Sequence, residues 1–153
     1  MLSFAIGLAL ISLADSSEQG LRTVQVFHKN MPPSLQTLEQ VEAVLAEFQE
    51  EYQITYHVIT DTASEELISL YGLPDTHFPF AVVVNGHFSA LIDGAEADFV
   101  HFPLFMHGIG RHEGNWSLEQ LRMVLEDNSL LLEENVLPVI EDDSCGCETE
   151  CAE

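Results

Sequence analysis

Basic residues are nearly missing from this chain. Against 26 aspartates and glutamates it sets 4 lysines and arginines, for a formal charge of -22. Arg22, Lys29, Arg111 and Arg122 are the full complement. Such a surface repels phosphate backbones and anionic lipid at long range, so no nucleic-acid partner is expected. Solubility or adaptation to salt is the plainest reading of the charge. The other is an acidic surface for cations or a basic partner.

Also lacking is an apolar run long enough to cross a bilayer, which takes about 20 residues. The stretch from Met1 to Ala14 is apolar but shorter, so no stable membrane span is expected. No lysine or arginine precedes it, as a secretory leader would require, yet Ser12-Leu13-Ala14 puts small residues at -3 and -1 of a cut before Asp15. Residues 1–14 therefore read as a candidate signal peptide, with export to a periplasmic or extracellular compartment. The alternative is a buried N-terminal segment in a cytoplasmic protein. Thiols are scarce as well: the 3 cysteines all lie near the C-terminus, at Cys145, Cys147 and Cys151. Internal repeats are absent, and Gly108-Ile109-Gly110-Arg111-His112-Glu113-Gly114 lacks the spacing and strand context of a dinucleotide loop.

What is present is enough apolar residue, 46% of 153, to bury the core of one domain. Residues 15–22 read as a linker, 23–140 as the domain, and 141–153 as an acidic cysteine-bearing tail. The centre of the domain is Phe78 to Ile92, where two β-prone runs flank Asn85-Gly86. That dipeptide suits the two positive-φ positions of a type I′ hairpin turn. Phe78 to Val84 is unbroken in its apolarity, as a strand covered on both faces should be. His87 and Ser89 interrupt the second arm, which places it nearer an edge, and Pro79 stands at the mouth of the first, where no ladder bond is lost.

Upstream, Thr23 to His28 is a short strand by propensity. A helix follows the turn at Lys29 to Ser34, with Leu38, Val41, Val44, Leu45, Phe48 and Tyr52 on its apolar face and Asn30 or Ser34 as its cap. Its other face carries Glu39, Glu42, Glu47, Glu50 and Glu51, a solvated charge run. Gln53 to Thr60 is a second strand, and Thr62 with Glu65 suggests a capping box on a helix stopped by Gly72. Downstream of the hairpin, Asp93 to Trp116 reads as a long loop. Ser117 with Gln120 caps another helix, and Leu130 to Val139 suggests a further helical turn or two. The order is β-α-β-α-β-β-α, with parallel pairing wherever a helix crosses between strands.

From Thr23 to Asp127 this α/β order resembles the thioredoxin-like superfamily, a three-layer sandwich, here with a loop insertion and a flexible C-terminal tail. In that family a Cys-x-x-Cys pair opens the first helix and a cis-proline opens the strand beside it. Pro79 falls where the cis-proline belongs, and Met31-Pro32-Pro33-Ser34 falls where Cys-x-x-Cys belongs. The resemblance implies a groove for substrate polypeptide, formed here by Met31, Pro32, Pro33, Ser34, Phe78 and Pro79. Thiol exchange needs a thiolate at the helix N-terminus. Neither Met31 nor Ser34 supplies one, so no catalytic residue is expected there and the implied role is binding.

Cysteine chemistry remains in the tail. Cys145, Cys147 and Cys151 form a Cys-x-Cys-x-x-x-Cys run that suits Cu(I), or Zn2+ with a fourth ligand. The same residues could form one disulfide and a spare thiol, act as a redox-active tail making the protein a thiol-disulfide oxidoreductase, or be inert. A weaker metal set is His101, His107 and His112, which only a folded loop could gather; a loop packed on the core with surface histidines is the alternative. Asp93, Glu96 and Asp98 are the remaining acid–base candidates, without a hydrolase signature beside them.

Overall fold

A computed structural model of the protein describes residues 21–74, 78–107 and 112–137. The candidate signal peptide, the linker up to residue 20, residues 108–111 of the glycine-rich loop and the cysteine tail lie outside the described residues. The elements are β1 (Arg22–His28), α1 (Pro32–Leu45), β2 (Tyr52–Val58), α2 (Thr62–Tyr71), β3 (Phe80–Val84), β4 (Ser89–Ile92), β5 (Ala95–Asp98) and α3 (Leu118–Glu126). A 3-10 turn, Ala46–Phe48, follows α1, and another, Asn128–Leu130, follows α3. This is an α/β three-layer sandwich of the thioredoxin-like class with an inserted strand.

Three strands make the main sheet, in the order β2-β1-β3. β1 runs parallel to β2, with Val24 opposite Ile54, and antiparallel to β3, with Val26 opposite Val82. The helical crossover through α1 is what permits the parallel pair. Side chains alternate between faces. Val24 and Val26 share one face with Tyr52, whose hydroxyl donates to the Leu125 carbonyl at 2.9 Å, so α1 and α3 cover that side. Phe27 points the other way and meets Tyr71 of α2 edge-on, with ring centroids 6.2 Å apart. Every residue of β3 is buried, as its unbroken apolarity requires. Each fully buried valine or phenylalanine is worth roughly 1.5–3 kcal/mol, so β3 anchors both cores.

The hairpin forms its turn but not its length. Asn85 (φ 51) and Gly86 (φ 89) hold the expected positive φ values. Past the Val84–His87 bridge, however, the second arm leaves β3 and pairs with β5 instead. A second tight turn, Asp93 (φ 52) and Gly94 (φ 80), drives this. The loop expected from Asp93 to Trp116 therefore begins with a strand. β3 gains its outer neighbour from further on: Val82 N–H donates to the Phe99 carbonyl at 2.8 Å, and His101 N–H to that of Phe80 at 2.8 Å.

Several local expectations are corrected. Tyr52 is not on α1 but opens β2, because the helix stops at Leu45. The capping box at Thr62 is absent: Asp61 is the N-cap, without a side-chain cap bond, though Gly72 ends α2 with φ 70 as expected. α3 does carry its capping box, Ser117 with Gln120. After the 3-10 turn, described residues up to 137 are not helical. Leu131 bridges to Ala90, and the Asn135 side chain accepts from Phe88 N–H at 2.7 Å and donates to the Gly86 carbonyl at 3.1 Å. No helix among the described residues is long and apolar enough to cross a membrane.

Candidate functional site

The head of α1 meets the mouth of β3. Met31 is the N-cap residue, in extended conformation, and no side chain caps the helix. The reason lies in Pro32 and Pro33, the first two helical residues, which have no N–H to satisfy. Leu35 N–H already reaches the Met31 carbonyl at 3.0 Å, so little is left for a cap to do. Ser34 is thus released for tertiary use. Fully buried, its hydroxyl accepts from Lys29 N–H at 3.0 Å and donates to the Pro79 carbonyl at 2.7 Å. The expected juxtaposition of Met31–Ser34 with Pro79 is present.

Two details of the expected groove differ. Among the described residues no peptide bond is cis, so Phe78–Pro79 is trans and the cis-proline geometry implied by the resemblance is corrected. Trans is the lower-energy form of an X–Pro bond. Phe78 and Pro79 are also buried, which leaves Met31 and Pro32, with Pro33 partly, as the side chains a partner can touch. Met31 is 43% exposed.

A wall beside this corner comes from the loop after β5, which sequence reasoning did not connect to it. Thr37 Oγ1 and His107 Nε2 lie 2.8 Å apart. Since the hydroxyl donates to the Pro33 carbonyl at 3.1 Å, the imidazole is the donor in that pair. The His107 ring also meets Phe102 edge-on, with centroids 4.8 Å apart. These contacts pin the loop to the first turns of α1 and hold Leu104 and Phe105 in solvent, Phe105 at 91% exposure with φ 63. A bulky residue in the left-handed region marks a backbone constrained by its surroundings. No local sequence signal announces the Thr37–His107 pair, because its partners are distant along the chain.

The three loop histidines part company. His107 goes to Thr37, while His101 is buried after β5 and has His112 nearby. Burial lowers His101 to about 4, and His112 adds to the effect. No group of three or more His, Cys, Asp or Glu that could hold a metal ion occurs among the described residues. The carboxylate trio does not converge either. Asp98 is buried, accepting from the Ser89 hydroxyl at 2.6 Å and from Asn115 Nδ2 at 3.0 Å, whereas Asp93 and Glu96 are exposed. Cys145, Cys147 and Cys151 lie outside the described residues.

Comparison with protein-family models, with curated proteins and with solved structures yields no match. The likeness to thioredoxin-like proteins therefore rests on element order, strand pairing and the corner where Ser34 meets Pro79.

Proposed function

We propose that the protein is a thioredoxin-like polypeptide-binding accessory protein without an active-site dithiol. One observation carries this reading: Ser34, at the head of α1, donates its hydroxyl to the Pro79 carbonyl at the mouth of β3. The elements that frame the substrate groove of thioredoxin-like proteins thus stand side by side here, with Met31 and Ser34 in place of thiols. Met31 cannot ionise, and the Ser34 hydroxyl is committed to a backbone oxygen rather than to a base. What remains is a site for docking. Met31 offers an unbranched, polarisable side chain that adapts to varied apolar partners. Exposed Leu104 and Phe105, on the loop pinned by His107, supply further apolar contacts near the same end of α1.

The second reading is sulfur chemistry in the tail. Its support is the spacing of Cys145, Cys147 and Cys151, which suits capture of copper or zinc. It also suits reduction of a substrate disulfide, with two thiols giving up two electrons and two protons to form their own disulfide.

Fluorescence anisotropy with a labelled, reduced and alkylated unfolded polypeptide tests the binding reading. Saturable binding that Met31→Asp weakens at least about tenfold, with an unchanged circular dichroism spectrum, is the expected result. Absence of binding, or binding indifferent to Met31→Asp, overturns it. Insulin reduction by the full chain that disappears when the three cysteines become serine would move the function to the tail.

A further inference from the structure

Three of the four outer strand edges are finished by hydrogen bonds. Beyond β3 in the main sheet, Val82 N–H reaches the Phe99 carbonyl at 2.8 Å, and the Phe80 carbonyl receives His101 N–H at 2.8 Å. In the small sheet the Ser89 carbonyl of β4 accepts from Leu132 N–H at 2.9 Å. Along β5 the Asn115 side chain stands in for a strand. It accepts from Asp98 N–H at 2.7 Å and donates to the Glu96 carbonyl at 3.2 Å. The outer side of β2 has no partner strand or side chain among the described residues.

Register decides which groups this edge presents. Val58 lies opposite His28, and Ile59 N–H donates to the His28 carbonyl at 2.9 Å, so the odd-numbered residues of β2 turn their backbone groups to β1. Ile54, half-buried, and Tyr56, exposed, therefore turn theirs outward. Native edge strands are ordinarily blunted by lysine, proline, a bulge or an inward charge. β2 has no Asp, Glu, Lys, Arg or Pro from Tyr52 to Val58, and its pairing with β1 runs through all 7 residues without a bulge. Charge begins only past its ends, at exposed Glu50 before it and exposed Asp61 after it. Among the described residues the ion pairs are Arg22–Glu51, Arg122–Glu47 and Arg122–Glu119, which engage neither Glu50 nor Asp61.

We infer that β2 takes up an extended polypeptide as an added strand of the main sheet, bonded through the N–H and C=O groups of Ile54 and Tyr56. The occupant has an uncharged, β-prone centre with Lys or Arg toward its ends. Main-chain bonds supply the affinity, as in other strand additions. Charge complementarity selects the occupant: uncharged against uncharged along the strand, cation against Glu50 and Asp61 beyond it. A second copy fits less well, because two bodies of charge -22 repel. Antiparallel pairing of two β2 strands would also bring Glu50 of each copy toward Asp61 of the other. This edge shares no residue with the Met31 corner, so the inference goes beyond the binding reading above and does not rest on it.

Amide exchange in the full chain tests it, with a peptide of alternating threonine and valine that ends in lysine on each side. The peptide is expected to slow exchange at Ile54 and Tyr56 at least about tenfold, while Gln53, Thr55 and His57, already bonded to β1, change little. Tyr56→Pro removes an outward N–H that β1 does not use, and proline is tolerated at such edge positions. Peptide binding is expected to weaken at least about tenfold in this variant, with an unchanged circular dichroism spectrum. Exchange at Ile54 and Tyr56 in the wild type decides the matter whether or not that variant folds. At about 20 mM salt a matching peptide ending in glutamate is expected to bind at least about tenfold more weakly, the gap shrinking near 300 mM. Glu50→Gln/Asp61→Asn is expected to shrink the gap as well, and Glu133→Gln/Glu134→Gln, an equal loss of charge elsewhere on the exposed surface, to preserve it. Absence of binding overturns the inference, and so does binding that leaves exchange at Ile54 and Tyr56 unchanged. Equal affinity for the two peptides, or a gap indifferent to Glu50→Gln/Asp61→Asn, overturns the choice of occupant. Slow exchange at Ile54 and Tyr56 without peptide, speeding up on dilution, would give the edge to a second copy and overturn it too.

Discussion

Ser34 and Pro79, distant along the chain, are joined by a hydrogen bond of 2.7 Å from hydroxyl to carbonyl in the buried interior. The same oxygen accepts from Lys29 N–H, so one side chain closes the turn into α1 and ties that turn to β3. Ser34→Ala leaves two backbone groups without this partner, and a buried unsatisfied group costs about 1–3 kcal/mol. Urea denaturation should show a loss in that range, with Ser34→Thr harmed for a different reason, the added methyl in a filled site.

Replacing Met31 and Ser34 by cysteine, in a chain whose tail cysteines are serine, should yield an intramolecular disulfide. The N-cap position is extended and the partner lies one helical turn on, the arrangement that lowers a thiol pKa below about 8.5. Mass spectrometry would register the loss of two hydrogens, and insulin reduction should appear. Two persistent free thiols under oxidising conditions would show that the corner does not have the redox geometry of its look-alikes.

Asp98 is a buried carboxylate held by neutral donors from Ser89, on β4, and Asn115, which also accepts from Asp98 N–H at 2.7 Å. Hydrogen bonds to charged groups contribute about 1.5–3 kcal/mol each. Asp98→Ala should therefore destabilise by at least that amount. The lesion should be felt first at β4 and β5, read as faster amide exchange there than in β1.

Gly114 has no room for a side chain. A Cβ would stand 2.3 Å from the Val100 carbonyl oxygen and 2.9 Å from a Trp116 ring carbon. Gly114→Ala must shift backbone or indole, and the expected cost is about 1–3 kcal/mol or more. Trp116 is the only tryptophan, so a change in its emission reports the displacement directly.

His101 makes stability fall on acidification. Its pKa is about 4 in the folded protein, below the usual 6.5, so the unfolded chain binds the proton more readily between those values. The stabilisation is present above about pH 6.5 and lost as pH falls toward 4, a drop on the order of 3 kcal/mol. His101→Asn keeps a residue tolerant of the observed φ of 67 and should flatten this part of the stability–pH curve. A curve parallel to wild type across the window would refute the assignment.

Legibility varied with how local the cause was. Asn85-Gly86 announces its turn because few other dipeptides accept two positive φ values, and Ser117 with Gln120 announces α3 because a capping box is complete within one turn. Asp93-Gly94 carried the same turn signal. Ala95-Glu96-Ala97-Asp98 after it has poor strand propensity, and only pairing with β4 makes it a strand. Ser34 misled as a candidate cap: two prolines had removed the amides that a cap would serve, leaving its hydroxyl for Pro79.

Charge sign, apolar periodicity, turn chemistry and the missing thiols at Met31 and Ser34 were settled by the residues themselves, since each depends only on near neighbours or on composition. Tertiary structure decided which strand β4 would join, and that His107 would leave its fellow histidines for Thr37. Those outcomes depend on which distant groups share a buried or crowded space, and no local pattern records that.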